Sequence, residues 1–269
     1  MIGAGVPSPS PSPAGIDVMP TADGSAVLEL DRVDAGYRQF RALFGVSLRV
    51  APGEAVALVG PNGVGKTTVA RVATGLVVPT AGRLLVGGRD LTGRPAHEVA
   101  DAGVTHAPEG RSVFATLTVE ENLTLPFRRR FGRRGVAATL GTVYELFPRL
   151  GVRRDQLAGS LSGGEQRILT LARVLALEPR LLVADELSLG LDPINTGEVY
   201  TVLGRILAAG TAVLVIEQKL DKALALADRV VVLDRGTVTF DGAPDDAGAP
   251  TASFLLGNGS RSVEPHGEP

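Results

Sequence analysis

Gly60-Pro61-Asn62-Gly63-Val64-Gly65-Lys66-Thr67-Thr68 satisfies the pattern G-x-x-x-x-G-K-[ST], and its flanks decide how it is read. Ala55-Val56-Ala57-Leu58-Val59 ahead of it is an apolar run of strand length, and Val69-Ala70-Arg71-Val72-Ala73 behind it reads as helix. A strand, a glycine loop and a helix N-terminus in that order aim backbone N–H groups at one point, where phosphate oxygens bind. In such a loop Lys66 reaches the β- and γ-phosphates, and the Thr67 hydroxyl holds Mg²⁺. Lysine usage supports the assignment. The chain has three lysines, Lys66, Lys219 and Lys222. The single one before residue 219 stands where a compact ammonium suits phosphate better than a planar guanidinium. A chance glycine turn leaves the matching flanks unexplained, so nucleotide binding is expected.

The 269 residues are enough for one large α/β domain or a domain with a subdomain. A hydrophobic content of 44% allows a full core, and a net charge of −2 gives no basic field for nucleic acid. Without cysteine, disulfides, zinc ribbons and thiol chemistry are excluded. No apolar run approaches the roughly 20 residues of a spanning helix, and the N-terminus lacks the basic and apolar regions of a secretory signal. A soluble cytoplasmic chain is expected.

Residues 1 to about 24, containing Pro7-Ser8-Pro9-Ser10-Pro11-Ser12-Pro13, read as a disordered tail. Val27-Leu28-Glu29-Leu30 and Phe44 to Val50 alternate as strands, with Tyr37 between them. In a chain with 4% aromatics, Tyr37 is either an ordinary hairpin aromatic or a platform for a purine ring. Leu84 to Val86 reads as a strand, Pro95 to Asp101 as a short helix, and Gly103 to Ala107 as a buried strand. From about 110 to 165 the texture is helical. Leu140, Val143, Tyr144 and Phe147 make one apolar face stopped by Pro148. Phe127 to Arg134 is strongly basic and reads first as a solvated loop, with lipid headgroups or an acidic partner as the alternative.

Leu161-Ser162-Gly163-Gly164-Glu165-Gln166-Arg167 opens a clear helix, with Ser162 and Glu165 spaced as a capping box. Two glycines in its first turn need a reason, and close approach of a second anion is the physical candidate. Leu181 to Ala184 is a buried strand ending in Asp185-Glu186, a carboxylate pair suited to Mg²⁺ chemistry. Val213 to Ile216 is another, ending in Glu217-Gln218. Val230 to Leu233 and Thr237 to Phe240 form a hairpin, and the chain from 244 reads as a flexible tail.

Together these motifs, in this order over residues 26 to 243, resemble the ATP-binding subunit of an ABC transporter. The resemblance implies an α/β P-loop NTPase core with an antiparallel β subdomain and a helical subdomain at about 110–165, the ATP-binding domain spanning 25–243. It implies ATP and Mg²⁺ as cofactors. Tyr37 becomes the adenine platform, residues 60–68 the phosphate loop, and Thr67, Asp185 and Glu109 the residues about the metal. Glu186 becomes the residue that polarises the attacking water; Gln218, at the switch position, would orient a γ-phosphate oxygen, and Lys66 completes the catalytic set. Ser162, Gly163 and Gly164 would meet the γ-phosphate held by an opposite subunit, and Asp192 would lie in the loop linking the two sites. The implied partners are a second ATPase subunit, transmembrane permease subunits and, indirectly, a substrate-binding protein. No nucleic-acid partner is implied. The expected location is the inner face of the cell membrane, as a peripheral subunit.

Glu109 stands where this family usually has glutamine, and Gln218 where it often has histidine. With Tyr144-Glu145-Leu146-Phe147-Pro148-Arg149-Leu150 these resemble the smaller ATPase of branched-chain amino-acid importers and its relatives for urea and short amides. Leu187 replaces the usual proline, and Lys219 a frequent asparagine. Another cargo is one alternative. An ABC-type ATPase acting on nucleic acid or ribosomes is a second, but paired cassettes, heptad arms and zinc cysteines are missing. A non-hydrolysing module is the third, opposed by intact Lys66, Asp185 and Glu186.

Overall fold

The computed structural model describes residues 26–110, 112–218 and 220–247. The proline-serine tail, Lys219 and the stretch after 247 lie outside the described residues, together with what the sequence suggests of them. The chain begins with antiparallel strands β1 (Leu28–Tyr37) and β2 (Phe40–Val50), then β3 (Ala55–Val59), the glycine loop and α1 (Lys66–Ala73). Strands β4 (Ala81–Val86) and β5 (Arg89–Asp90), helix α2 (Ala96–Asp101) and strand β6 (Val104–Ala107) follow. The helical part comprises α3 (Val119–Leu146), α4 (Pro148–Val152) and α5 (Gly163–Leu175). The chain then alternates β7 (Leu181–Asp185), α6 (Pro193–Ala208), β8 (Ala212–Glu217) and α7 (Leu220–Leu226), and closes with β9 (Arg229–Asp234) and β10 (Thr237–Gly242).

Two sheets result. One is antiparallel, in the order β2-β1-β4-β5; the other runs β10-β9-β3-β8-β7-β6, parallel except for the hairpin partner β10. The composition of the strands explains the split. Every residue of β3, β7 and β8 is buried, as strands covered on both faces require. Strand β1 alternates, burying Leu28, Leu30, Val33 and Ala35 on one side. The large sheet's two faces feed separate cores. Val56, Leu58, Leu214 and Ile216 pack with α1 and the antiparallel sheet. Ala57, Val59, Val213 and Val215 pack with α3, α5 and α6. Both cores hold the carboxyl-terminal ends of β3, β7 and β8 in one row, where a parallel sheet presents its ligands.

Several expectations are adjusted. β1 continues through Tyr37, which pairs with Phe40 at a hairpin tip, so Tyr37 ends a strand instead of lying between two. The arginine run is not a loop: it lies on α3, which breaks at Gly132 (φ 64°). Phe127, fully buried, and Phe131 one turn later pack ring to ring at 6.5 Å, and that i, i+4 pair anchors the helix. The arginines are left on the wet side, Arg129 pairing with Asp101 at 3.1 Å. A capping box of Thr118 and Glu121 starts this helix. The apolar face at Leu140, Val143, Tyr144 and Phe147 packs on the core, and Pro148 begins α4. Beyond β10 the chain makes a short turn, Pro244–Ala247, whose Ala247 is buried. The order of the described chain therefore extends past 243. No helix of the described residues is long and apolar enough to cross a membrane.

Candidate functional site

The glycine loop leaves β3 and turns into α1 through Gly65 at φ 108°. A Cβ there would lie 2.9 Å from the Ala42 carbonyl and 2.8 Å from the Leu43 side chain, so the close approach of β2 requires glycine. Lys66 is folded under the loop. Its ammonium donates to the carbonyls of Gly60 and Pro61, both at 2.9 Å, and lies 3.9 Å from Glu186 Oε1. Burial holds its pKa below the usual lysine value, opposed by the charges of Glu186, Asp185 and Glu217. Pro61, Asn62, Gly63, Val64 and Thr67 are open or half-open to solvent at the mouth of the loop, while Thr68 is buried against the core side.

The opposite wall is acidic. Asp185 ends β7 and is 1% exposed, yet its Oδ1 has no hydrogen-bond partner. Burial pushes its carboxyl up to about 6, reinforced by the neighbouring charges of Glu186 and Glu109. His106 Nε2, also buried and unpartnered, lies 3.9 Å from Asp185 Oδ2, and burial presses its imidazole down to about 4. A buried carboxylate that is costly to charge and has a free oxygen fits a cation. Among the described residues no group of three acidic or histidine side chains could hold a metal by itself. The fit is therefore to an ion such as Mg²⁺, which takes one or two protein ligands and fills its remaining positions with phosphate oxygens and water. Thr67 and Asp185 would be those ligands. Glu109 is exposed and stands close enough to raise Asp185, which leaves it an outer position.

Glu186 follows in a left-handed conformation, φ 47°. Its Oε1 accepts from Gln218 Nε2 at 2.9 Å, and its backbone N–H donates to Ile216 at 2.9 Å. The structure thus joins Lys66, Asp185, Glu186 and Gln218 in one cluster. Tyr37 stands at the edge, 41% exposed; Arg71 of α1 donates to its hydroxyl at 3.0 Å and lies 5.7 Å from its ring centre.

The second glycine pair is arranged otherwise. Ser162 and Glu165 form the reciprocal capping box, with hydrogen bonds of 3.3 and 2.9 Å. Ser162 and Gly163 are exposed. Among the described residues no hydrogen bond joins 162–164 to 60–68. Gly164 has a reason that sequence reading did not find: a Cβ there would fall 2.2 Å from Asn195 Oδ1 and 3.0 Å from its Cβ, so the Asn195 side chain of α6 packs directly over the glycine of α5 and would have to move for any larger residue. At Gly164 this packing stands beside the anion argument, and the surroundings of Gly163 are open. Asp192 is an N-cap, accepting from Ile194 and Asn195 at 2.9 and 3.0 Å.

Two buried side chains were passed over in the sequence. Arg167 donates to the carbonyl of Gly110 and, at 3.4 Å, to that of Leu189, tying the loop after β6 to the loop after β7. Glu217 accepts from Ser188 N–H at 3.0 Å and Ser188 Oγ at 2.8 Å. Position within the motifs was the only available signal for either one.

Comparison with known proteins identifies the family. Residues 43–188 match the family described as ABC transporter. The chain is 38% identical over 212 residues to the high-affinity branched-chain amino acid transport ATP-binding protein BraG of Pseudomonas aeruginosa, covering 79% of this chain and 91% of that one. It is 34% identical to the lipopolysaccharide export system ATP-binding protein LptB of Acidithiobacillus ferridurans, covering 82% and 92%. A solved nucleotide-free ATP-binding cassette from an ABC transporter superposes with a TM-score of 0.75 at 26% identity, over 85% of this chain and 95% of its own.

Proposed function

Since the chain belongs to the ABC transporter family and is an ATPase subunit of it, we propose that it energises import of branched-chain or other small hydrophobic amino acids. In this reading it works at the cytoplasmic face of the membrane beneath permease subunits, paired with a second ATPase, and a substrate-binding protein delivers the cargo to the permease. The observation that carries the hydrolytic part is the cluster at the strand ends: Lys66 tied under the loop, Asp185 buried with a free oxygen, and Glu186 held by Gln218. The cargo rests on the likeness to BraG and on the residue choices at Glu109 and Gln218. The likeness to an export ATPase at similar identity makes export the reading to test against.

The loop N–H groups and Lys66 hold the β- and γ-phosphates, Tyr37 stacks on the adenine, and Thr67 with Asp185 holds Mg²⁺. Mg²⁺, when bound, neutralises charge on the phosphate oxygens. Glu186 takes the proton of the attacking water on the oxygen that Gln218 leaves free. Gln218 carries no titratable proton, so it orients and does not act as an acid. In this reading Ser162-Gly163-Gly164 serve the partner's γ-phosphate.

Removing a general base costs on the order of 10²- to 10⁴-fold in rate. Glu186→Gln should keep ATP affinity and abolish turnover; hydrolysis within a few-fold of the parent would reject the assignment. For the cargo, ATPase activity of the complex co-purified from membranes should rise with leucine, isoleucine or valine plus the cognate binding protein. Stimulation by a lipid-linked saccharide instead would favour export.

A further inference from the structure

The turn that carries Glu186 is held almost wholly by the end of β8. Glu186 has a positive φ, which for a side chain other than glycine persists only where its surroundings fix it. Ile216 receives its N–H, and Gln218 donates to its carboxylate. Between them in sequence, Glu217 grips Ser188, two residues beyond Glu186, with both carboxylate oxygens. Three consecutive residues, the last two of β8 and the one after it, therefore fix the N–H of the base, the backbone beyond it and its side chain.

The middle member is the unexpected one. Glu217 is 3% exposed, and burial lifts its carboxyl above the usual range against the pull of its two Ser188 bonds. The Ser188 bonds, a further bond from the Gln218 backbone and the charges of Lys66 and Arg167 reduce, but do not cancel, the cost of taking this carboxylate out of water. A short, two-pronged acceptor aimed at one N–H and one hydroxyl gives angular control that a single bond does not. We propose that Glu217 is a positioning residue: by clasping Ser188 it fixes the turn after Asp185 and so sets the direction of the free oxygen of Glu186. The proposal rests on Glu186 being the base.

The test uses the full-length chain with its co-purifying partners. Glu217→Leu removes both acceptors at similar volume and should lower kcat by about 10- to 100-fold, the range typical of groups that orient a reacting residue, with nucleotide affinity unchanged. Glu217→Gln can still accept from the Ser188 N–H and donate to Oγ, so its kcat should stay within about 3-fold of the parent. Ser188→Ala breaks one prong without touching the buried carboxylate and should cost several-fold, non-additively with Glu217→Leu. That variant also answers if Glu217→Leu folds poorly.

The deciding experiment is epistasis, read as single-turnover rates. With Glu186→Gln already present, adding Ser188→Ala or Glu217→Leu should leave the residual rate unchanged, because the residue they position is gone. If Glu186→Gln alone fails to collapse turnover, the reading of the base is wrong. If it does collapse turnover but the added substitutions lower the residual rate by the same factor as before, Glu217 acts independently of Glu186 and the proposal is overturned. Glu217→Gln as damaging as Glu217→Leu would likewise overturn it, since charge and not the clasp would then be what matters.

Discussion

Two helix N-termini in this chain are written alike and built differently. At α1 the glycine loop closes on its own lysine: Lys66 is buried and the carboxylates of β7 and β8 face it. At α5 Ser162 and Gly163 lie exposed, the cap is satisfied locally by Glu165, and Gly164 is spent on contact with Asn195. One terminus is a finished half of a site with its charges assembled; the other is a pre-formed helix end whose one first-turn carboxylate, Glu165, is engaged in its own capping box and with Arg153. Glycine enrichment alone does not reveal which end has its charges assembled around it and which stands open. The distinction lies in what surrounds each terminus.

The comparison can be broken or sharpened by substitution, the largest effect first. Ser162→Arg would replace the short cap with a bulky cation at the open terminus. Loss of an aligned donor at a developing charge costs roughly 10² or more in rate. Steady-state ATPase of the assembled complex should fall by about that factor, with this chain's own nucleotide affinity intact; an unchanged rate would make the α5 terminus a structural cap only.

Gly164→Ala probes the packing reason for the second glycine. The new Cβ would overlap the Asn195 amide, and overpacking of this kind costs about 1–3 kcal/mol. Denaturant titration should show that loss, and Asn195→Ala should restore most of it. Were Gly164→Ala neutral in stability yet inactive, the glycine would be there for a ligand after all.

The last substitution concerns the closed site. The folded carboxyl of Asp185 titrates at about 6 against an ordinary 3.8, so between those values the folded state holds a proton that the unfolded chain has lost. Its destabilising contribution is absent below pH 3.8 and complete above about pH 6. Asp185→Asn should thus raise the Tm of the nucleotide-free protein by a few degrees at pH 8 and leave it unchanged near pH 4. Thermal melts at the two pH values check this; an equal shift at both would mean that ionisation is not the cause.

What could be read in advance follows the same division. Strands β3, β7 and β8 were legible because parallel strands buried on both faces are unbroken apolar runs, and their last residues bear the chemistry. Lys66, Asp185, Glu186 and the Ser162–Glu165 box could be located from spacing. The arginine-rich part of α3 was not legible, because its helix depends on Phe127 and Phe131 reaching a core assembled from distant strands. Gly164 was located, but its packing against Asn195 was not legible, since that neighbour is brought near only by the fold. Glu217 and Arg167 were visible as letters but not as ties, because Ser188, Gly110 and Leu189 reach them through tertiary contacts.

The central claim is that the finished terminus at Lys66 and the open terminus at Ser162 belong to different ATP sites. Photo-crosslinking of a labelled azido-nucleotide after vanadate trapping, with the two ATPase subunits resolved, tests it directly. Lys66→Ala should abolish label on this chain, whereas Ser162→Arg should spare this chain's label and abolish that on its partner. Loss of label from this chain alone in both variants would contradict the claim.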